Sequence, residues 1–202
     1  MGVSDRMNMK KAAFTVYRND PFLKKWLEHY KAFGHLYILN NNPHGEFVDT
    51  FGYKAEVINI PKEETDFVWL RGKVEQFMED LLEVYDKVLF STCDELIVSR
   101  KGWAFRGDFV RCTGYEIVGD KWARHKYFDK PLITKIPLKY EQGWHCLFNE
   151  NMENNQGDPN FVLLHLKRQD PKEYLRRHGS MDAYHDFDDK LEEIPEEFKK
   201  YV

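Results

Sequence analysis

An apolar strand, a helix and a second apolar strand follow one another between Ala12 and Leu39, and that order constrains the fold more than any other feature of the chain. Ala12-Ala13-Phe14-Thr15-Val16-Tyr17 reads as a short buried strand. Arg18-Asn19-Asp20-Pro21 follows, where Asp or Asn caps a helix that proline opens. From Phe22 to Phe33 the residues Phe22, Leu23, Trp26, Leu27, Tyr30 and Phe33 recur at helical spacing on one face, and Gly34 stops the helix. His35 to Leu39 is a second strand, closed by Asn40-Asn41-Asn42-Pro43. Parallel strands need a crossover, usually helical. The spacing therefore predicts an α/β fold: a mostly parallel twisted sheet flanked by helices, with ligands bound at the carboxyl ends of its strands.

The alternation continues. Ala55 to Ile60 predicts a third strand, and Val68 to Tyr85 a long helix carrying Leu70, Val74, Phe77, Met78, Leu81 and Leu82 inward. Lys87 to Phe90 predicts a fourth strand that runs into Ser91-Thr92-Cys93-Asp94-Glu95-Leu96-Ile97-Val98. Beyond Arg100 the pattern changes. Phe105 to Val118 and Pro131 to Pro137 read as strands and irregular loops punctuated by Gly102, Gly107, Gly114, Gly119 and Gly143. Phe161 to Leu166 is a late apolar strand, and Asp170-Pro171 caps a helix through Arg177. The tail, Asp186 to Val202, is acidic and then basic, and is expected to form an exposed terminal helix.

Composition narrows the classes. A chain of 202 residues with 42% hydrophobic and 32% charged residues suits one globular domain with a single core. A net charge of -4 leaves no field to gather polyanions, so nucleic acid is not an expected partner. Cys93, Cys112 and Cys146 are odd in number and widely spaced, which fits neither a disulfide framework nor a paired zinc site. They read as reduced, small apolar residues. No run approaches the roughly 18–20 apolar residues of a bilayer span. The start, Met1 to Lys11, lacks a signal peptide's apolar core, so a cytoplasmic protein without a transmembrane segment is expected.

Asp94 and Glu95 are the strongest local feature, because carboxylates at the end of an apolar strand suit a divalent cation and a diphosphate. Adjacent acids are common in solvated loops, but the apolar runs on both sides leave little room for an excursion. His165 stands within an apolar strand and His145 beside Trp144. Such histidines are more often satisfied core residues, and gain weight as ligands if the fold brings them to Asp94. Arg71, Lys73 and Gln76 open the helix before the Asp94 strand, where a solvated face competes with diphosphate binding. Asn40, Asn41 and Asn42 suit a base or ribose, and equally a turn before Pro43. Tyr17, Trp69, Trp103, Tyr127 and Trp144 are aromatic candidates for sugar stacking, though most aromatic side chains serve the core.

In their order these segments resemble the bacterial and viral GT-A glycosyltransferases related to family 2, from Lys11 to about Arg177. Tyr17-Arg18-Asn19-Asp20 with the helix Phe22 to Tyr30 looks like the family's acid-bearing turn and helix. Leu36 to Asn42 looks like its nucleotide-closing strand, and Cys93-Asp94-Glu95 falls where the family carries Asp-any-Asp-Glu. Arg111 to Glu116, Lys130 to Ile133, Gly143-Trp144-His145 and Leu163 to Lys167 look like later family segments in the same sequence. The first acid of the metal motif is replaced by Thr92, a departure that puts the metal site in question.

The resemblance implies transfer of a hexose from a nucleoside diphosphate sugar, UDP-linked, to a hydroxyl of a glycan or small acceptor. It implies a divalent cation, manganese or else magnesium, held by Asp94 with His165 or His145. Residues 1–100 become a nucleotide-binding half, 101–185 an acceptor-side half, and 186–202 a terminal helix or tail. Donor contacts fall to Thr15, Tyr17, Arg18, Asn40, Asn42, Arg71, Gln76, Thr92 and Cys93, and acceptor contacts to Trp144 and His145. Glu95 orients the site or the donor sugar. Asp108 and Glu116 are candidate general bases if the reaction inverts configuration. The alternative is a nucleotide-sugar or glycan-binding module of the same fold with weak or no catalysis, motivated by Thr92. A metal-dependent nuclease or phosphatase stands well behind, given the balanced charge.

Overall fold

β1 (Lys11–Tyr17) runs between β2 (His35–Asn40) and β4 (Lys87–Phe90), parallel to both, and β3 (Ala55–Asn59) extends the sheet beyond β2, again parallel. This is a computed structural model that describes residues 9–62, 64, 66–141, 144–148, 150, 156–178 and 190–202, without the side chains of 177 and 178. Residues 1–8 of the start, Gly143 and residues 186–189 of the tail lie outside the described residues. Ala12, Ala13, Phe14 and Thr15 are fully buried because β1 is covered on both faces. The chain steps outward from β1 to β2 to β3, then returns to place β4 on the other side of β1. Such a reversal opens a crevice at the carboxyl ends.

Beyond β4 the sheet is mixed. β8 (Pro131–Thr134) lies antiparallel to β4, and β6 (Phe109–Val118) antiparallel to β8. β7 (Lys121–Arg124) returns antiparallel to β6 and is edged by the short β10 (Glu192–Glu193). β9 (Asp158–Arg168) lies parallel to β6 and antiparallel to β5 (Glu95–Ser99). The fold is α/β as the sequence predicts, parallel through β3-β2-β1-β4 and mixed thereafter. The reason is connection length: the link from β4 to β5 and the β6–β7 hairpin, turned at Gly119 with φ 61°, leave no room for crossover helices.

α1 (Leu23–Tyr30) buries Leu23, Trp26, Leu27 and Tyr30 on one face. Its buried polar tips join it to the strands that carry the acids. The Trp26 Nε1–H donates to Ser91 Oγ at 2.9 Å, and Tyr30 Oη accepts from the Ile97 amide at 2.7 Å. Asp20 accepts the Phe22 amide at 2.9 Å in the turn before the helix, whose N-cap is Phe22 without a side-chain cap, so Asp20 shapes the approach to α1 and does not cap it. α1 ends at Tyr30 with Lys31 as its cap, short of the expected Phe33, so Gly34 does not end the helix but serves the next strand. A Cβ there would stand 2.0 Å from the Lys11 carbonyl oxygen, so only glycine lets β1 begin beside it. α2 (Phe67–Leu82) is capped by Asp66, which accepts the Trp69 amide at 3.0 Å, and buries Leu70, Val74, Met78 and Leu81.

The described part of the tail is docked rather than exposed. Ile194 and, in α4 (Glu196–Lys199), Phe198 are buried, Phe198 packs 5.3 Å from the Trp122 ring, and Arg100 pairs with Glu197 at 3.1 Å. Charge alternation suggested a solvated helix, but two apolar residues suffice to anchor so short a segment. α3 (Pro171–His178) follows β9 and buries Tyr174.

Lys87 is a buried cation at the amino end of β4. Its ammonium donates to the Trp103 carbonyl and lies 4.5 Å from the Phe105 ring, with no carboxylate ion-pair partner among the described residues. Burial, then the charges of Lys135 and Lys11, push its pKa down to about 8 from the ordinary 10.5. Unfolding between those values takes up a proton, so stability rises with pH across that window. The variant Lys87→Met is expected to raise the melting temperature at pH 7 and to flatten that rise, as checked by urea unfolding at pH 7.5 and 9.5.

Candidate functional site

The turn after β4 is clamped onto β1. Cys93 Sγ lies 3.3 Å from Thr15 Oγ1 and donates to the Val16 carbonyl at 3.4 Å. Within the turn Thr92 Oγ1 donates to Asp94 Oδ1 at 2.7 Å, and the Thr92 amide donates to Glu95 Oε2 at 3.1 Å. The Leu166 amide donates to the Asp94 carbonyl at 2.7 Å, locking the turn to β9. Thr15, Cys93 and Thr92 therefore shape the turn, and Asp94 is what it presents.

Strand register builds the rest. β9 pairs His165 with Glu95 on one side and with Glu116 on the other, so three ionisable residues form a row across three strands. Glu116 is fully buried; its carboxylate takes His165 Nδ1 at 2.6 Å and Arg168 Nη1 at 3.1 Å. His165 Nε2 faces Asp94 Oδ2 at 3.7 Å. Burial alone would lower the His165 pKa, but Glu116 above all, with Asp94 and Glu95, raises it above the ordinary value. Glu95, 1% exposed, pairs with the buried ammonium of Lys130. Burial favours its neutral form, yet Lys130 outweighs that and holds its pKa low.

His145 closes the opposite wall. Its Nδ1 meets the Tyr127 carbonyl, which only accepts, so Nδ1 carries the proton and Nε2 the lone pair. Burial and the Lys130 charge push its pKa down to about 4, leaving it neutral at working pH. Asp94, Glu95, Lys130, His145 and His165 share one cavity of about 580 Å³, with Phe67 and Tyr127 at its wall. That size suits a small-molecule site.

A divalent cation fits between Asp94 and His165. Two donors each about 2.1 Å from one ion can stand 3.7 Å apart. Glu116 on Nδ1 leaves Nε2 as the donor atom, the carboxylate–histidine–metal arrangement, and a mixed oxygen and imidazole set suits manganese. Among the described residues no group of three or more His, Cys, Asp or Glu is poised around one point, so Asp94 and His165 alone would leave the remaining coordination positions of such an ion to other oxygens.

The other sequence candidates divide clearly. Asn40 is spent within the fold, donating to the Glu46 carbonyl at 2.9 Å and to Asn59 Oδ1 at 2.8 Å. Asn42 is 1% exposed with neither side-chain amide atom hydrogen-bonded to a described residue, and the Asn41 Oδ1 is likewise buried without a donor among the described residues. These buried amides stand at the carboxyl end of β2, where open α/β sheets receive ligands. Tyr17 and Arg18 stand half-buried at the end of β1. Arg71 reaches toward Glu75 at 4.0 Å and Gln76 donates to Asp80 at 2.9 Å, both on α2 outside the cavity. Asp108 precedes β6 at the end remote from Glu116, a span of about 26 Å along an extended strand, and does not join the site. Glu116 is sealed behind His165 and Arg168, out of reach of an acceptor hydroxyl. Trp144 lies mostly buried, its ring 5.2 Å from Phe90.

Sequence reasoning did not single out Lys130 as Glu95's counter-ion, nor Phe67 and His125 as cavity residues. Only Lys130 had a signal, as a cation directly before the apolar strand Pro131 to Thr134. No protein-family model and no curated protein matches this chain. Among the described residues no helix is long and apolar enough to cross a membrane.

Proposed function

We propose that the chain is a metal-assisted glycosyltransferase of the GT-A type, moving a hexose from a nucleoside diphosphate sugar, UDP-linked, to a hydroxyl of a glycan or small acceptor. The observation that carries this reading is the Asp94 carboxylate, held at the end of β4 and facing His165 Nε2 at 3.7 Å within one cavity. The β3-β2-β1-β4 order supports it, since ligands of such sheets bind where the strand order reverses. Asn41 and Asn42 offer unpaired amide groups to the nucleoside.

The cation, once bound, supplies Lewis-acid neutralisation of the leaving diphosphate. Asp94 and His165 would hold it, Glu116 keeps the proton on His165 Nδ1, and Lys130 cancels the charge of Glu95 beside the incoming phosphates. The two-donor cation site also suits a nucleotide-sugar-binding module with little turnover, so binding and turnover are measured together. With manganese and UDP at about a hundredfold excess over Kd, the melting temperature should rise by roughly 5–10 °C. UDP should be released from one of a panel of UDP-hexoses. A shift without release leaves the binding module; no shift with any nucleoside diphosphate removes both readings.

A further inference from the structure

The segment between β5 and β6 is held by its carbonyl oxygens. Ser99 Oγ donates to the Gly102 carbonyl, and the Lys87 ammonium to that of Trp103. The Lys135 ammonium donates to the carbonyls of Phe105 at 3.3 Å and Gly107 at 2.8 Å, and its amide to that of Asp108 at 2.7 Å. No amide from Lys101 to Gly107 finds an acceptor among the described residues. The carbonyls of this loop are thus spent on its supports while its amides are not. Left-handed glycines turn it near both ends, Gly102 at φ 81° and Gly107 at φ 82°. Successive free amides in such turns make anion-binding concavities.

The side chains agree in sign. Lys101 and Arg106 are exposed on the loop, and neither has a hydrogen-bond or ion-pair partner among the described residues. The ammoniums of Lys87 and Lys135 bond only to carbonyls and lie over the Phe105 ring. Four cations therefore gather here without a paired carboxylate among the described residues, in a chain whose net charge is -4. The loop and the start of β9 enclose a cleft of about 570 Å³, lined by Lys101, Phe105, Arg106, Arg111 and Asp158 among others. Arg111 is already taken by the Asp129 and His145 carbonyls and by Glu150. Asp158 is the one carboxylate among the described lining residues, and its Oδ1 accepts the Asn160 amide and Nδ2, each at 2.8 Å. Asp108, exposed after the loop, lies outside that lining.

We propose that this cleft binds a phosphate group, held by Lys101, Arg106 and the loop amides. Two cations with a run of N–H donors suit a dianion carrying several oxygens, whereas a carboxylate brings one charge and two oxygens. Ring stacking adds little, because the Phe105 ring already holds two ammoniums, each 4.5 Å from its centre. The cleft is separate from the Asp94 cavity and shares no lining residue with it. Phe161, which lines the cleft, stands roughly 13 Å from His165 along extended β9. The phosphate site does not depend on the glycosyltransferase reading.

The test is titration of the full chain with inorganic phosphate, followed by amide NMR with EDTA present so that no cation draws phosphate to Asp94. At about 0.15 M salt the amides of residues 101–107 should shift saturably, with a Kd of about 1 mM or tighter. The double variant Lys101→Ala, Arg106→Ala should bind at least about tenfold more weakly, with an unchanged melting temperature because both side chains are exposed. Asp94→Asn should bind phosphate as wild type does. Glycerol phosphate, and co-sedimentation with vesicles containing phosphatidic acid, tell a soluble phosphomonoester from a lipid headgroup, and binding of either keeps the site. The proposal is overturned if none of the three binds. It is equally overturned by a folded double variant that binds like wild type, or by shifts confined to the Asp94 cavity. Release of UDP from a sugar donor is measured separately, so failure of the phosphate site leaves the donor reading standing, and the reverse holds too.

Discussion

Replacing Asp94 by asparagine is expected to cut UDP release from the donor by about 10²–10³-fold while leaving the protein folded. The two halves of that expectation come from different atoms. Asparagine keeps an oxygen to accept the Thr92 hydroxyl, and the main-chain bond from the Leu166 amide to the Asp94 carbonyl is untouched. What disappears is the negative charge facing His165, and with it the ligand that attracts a cation at that point. Release of UDP reports the first effect and the melting temperature the second. An Asp94→Asn protein that keeps full turnover would remove Asp94 from the mechanism. One that melts many degrees lower would make it a structural carboxylate.

The second large effect is on stability. Lys130→Met leaves the carboxylate of Glu95, 1% exposed, without its ion-pair partner, and such a broken buried pair typically costs about 3–5 kcal/mol. For a chain of this size the melting temperature should fall by roughly 10 °C or more. The double variant Lys130→Met, Glu95→Gln should recover much of that loss, because the uncompensated charge goes with its partner. Acid provides an independent check. The folded pKa of Glu95 is lowered, so its contribution is present above the ordinary carboxylate value of 4.5 and is lost as pH falls through the lower folded value. Wild type should therefore lose stability more steeply in acid than the double variant. If the single and double variants melt together, the pair is not what holds this part of the fold.

The first half of the sheet was legible in the sequence because its signals are local. Ala12 to Tyr17, the helix with Trp26 and Tyr30, and Val88 to Phe90 each declare their state within a few residues, and together they impose the parallel order. The position of Asp94 was legible for the same reason, in the short turn that follows the apolar strand β4. The second half was not, because its pairings join distant segments. Nothing near Glu116 announces that β9 will lie parallel to β6 and place His165 against it, so a residue that looked like a free base proves to be sealed. Lys130 and Glu95 are likewise partners only through β8 and β5. Asp108 looked equivalent to Glu116 by composition, and strand direction alone separates them. The tail misled because two buried side chains, Ile194 and Phe198, weigh more in packing than the charges around them.

The row Glu95, His165 and Glu116 ties the cavity to pairings between distant segments of the chain. Its members are supplied by β5, β9 and β6, and the middle one belongs to a strand that emerges long after the other two. The sheet β3-β2-β1-β4 uses only the first ninety residues, whereas the imidazole opposite Asp94 comes from β9, between β5 and β6. The Asp94–His165 pair is thus complete only where β9 lies between β5 and β6, so this part of the molecule depends on long-range strand pairing.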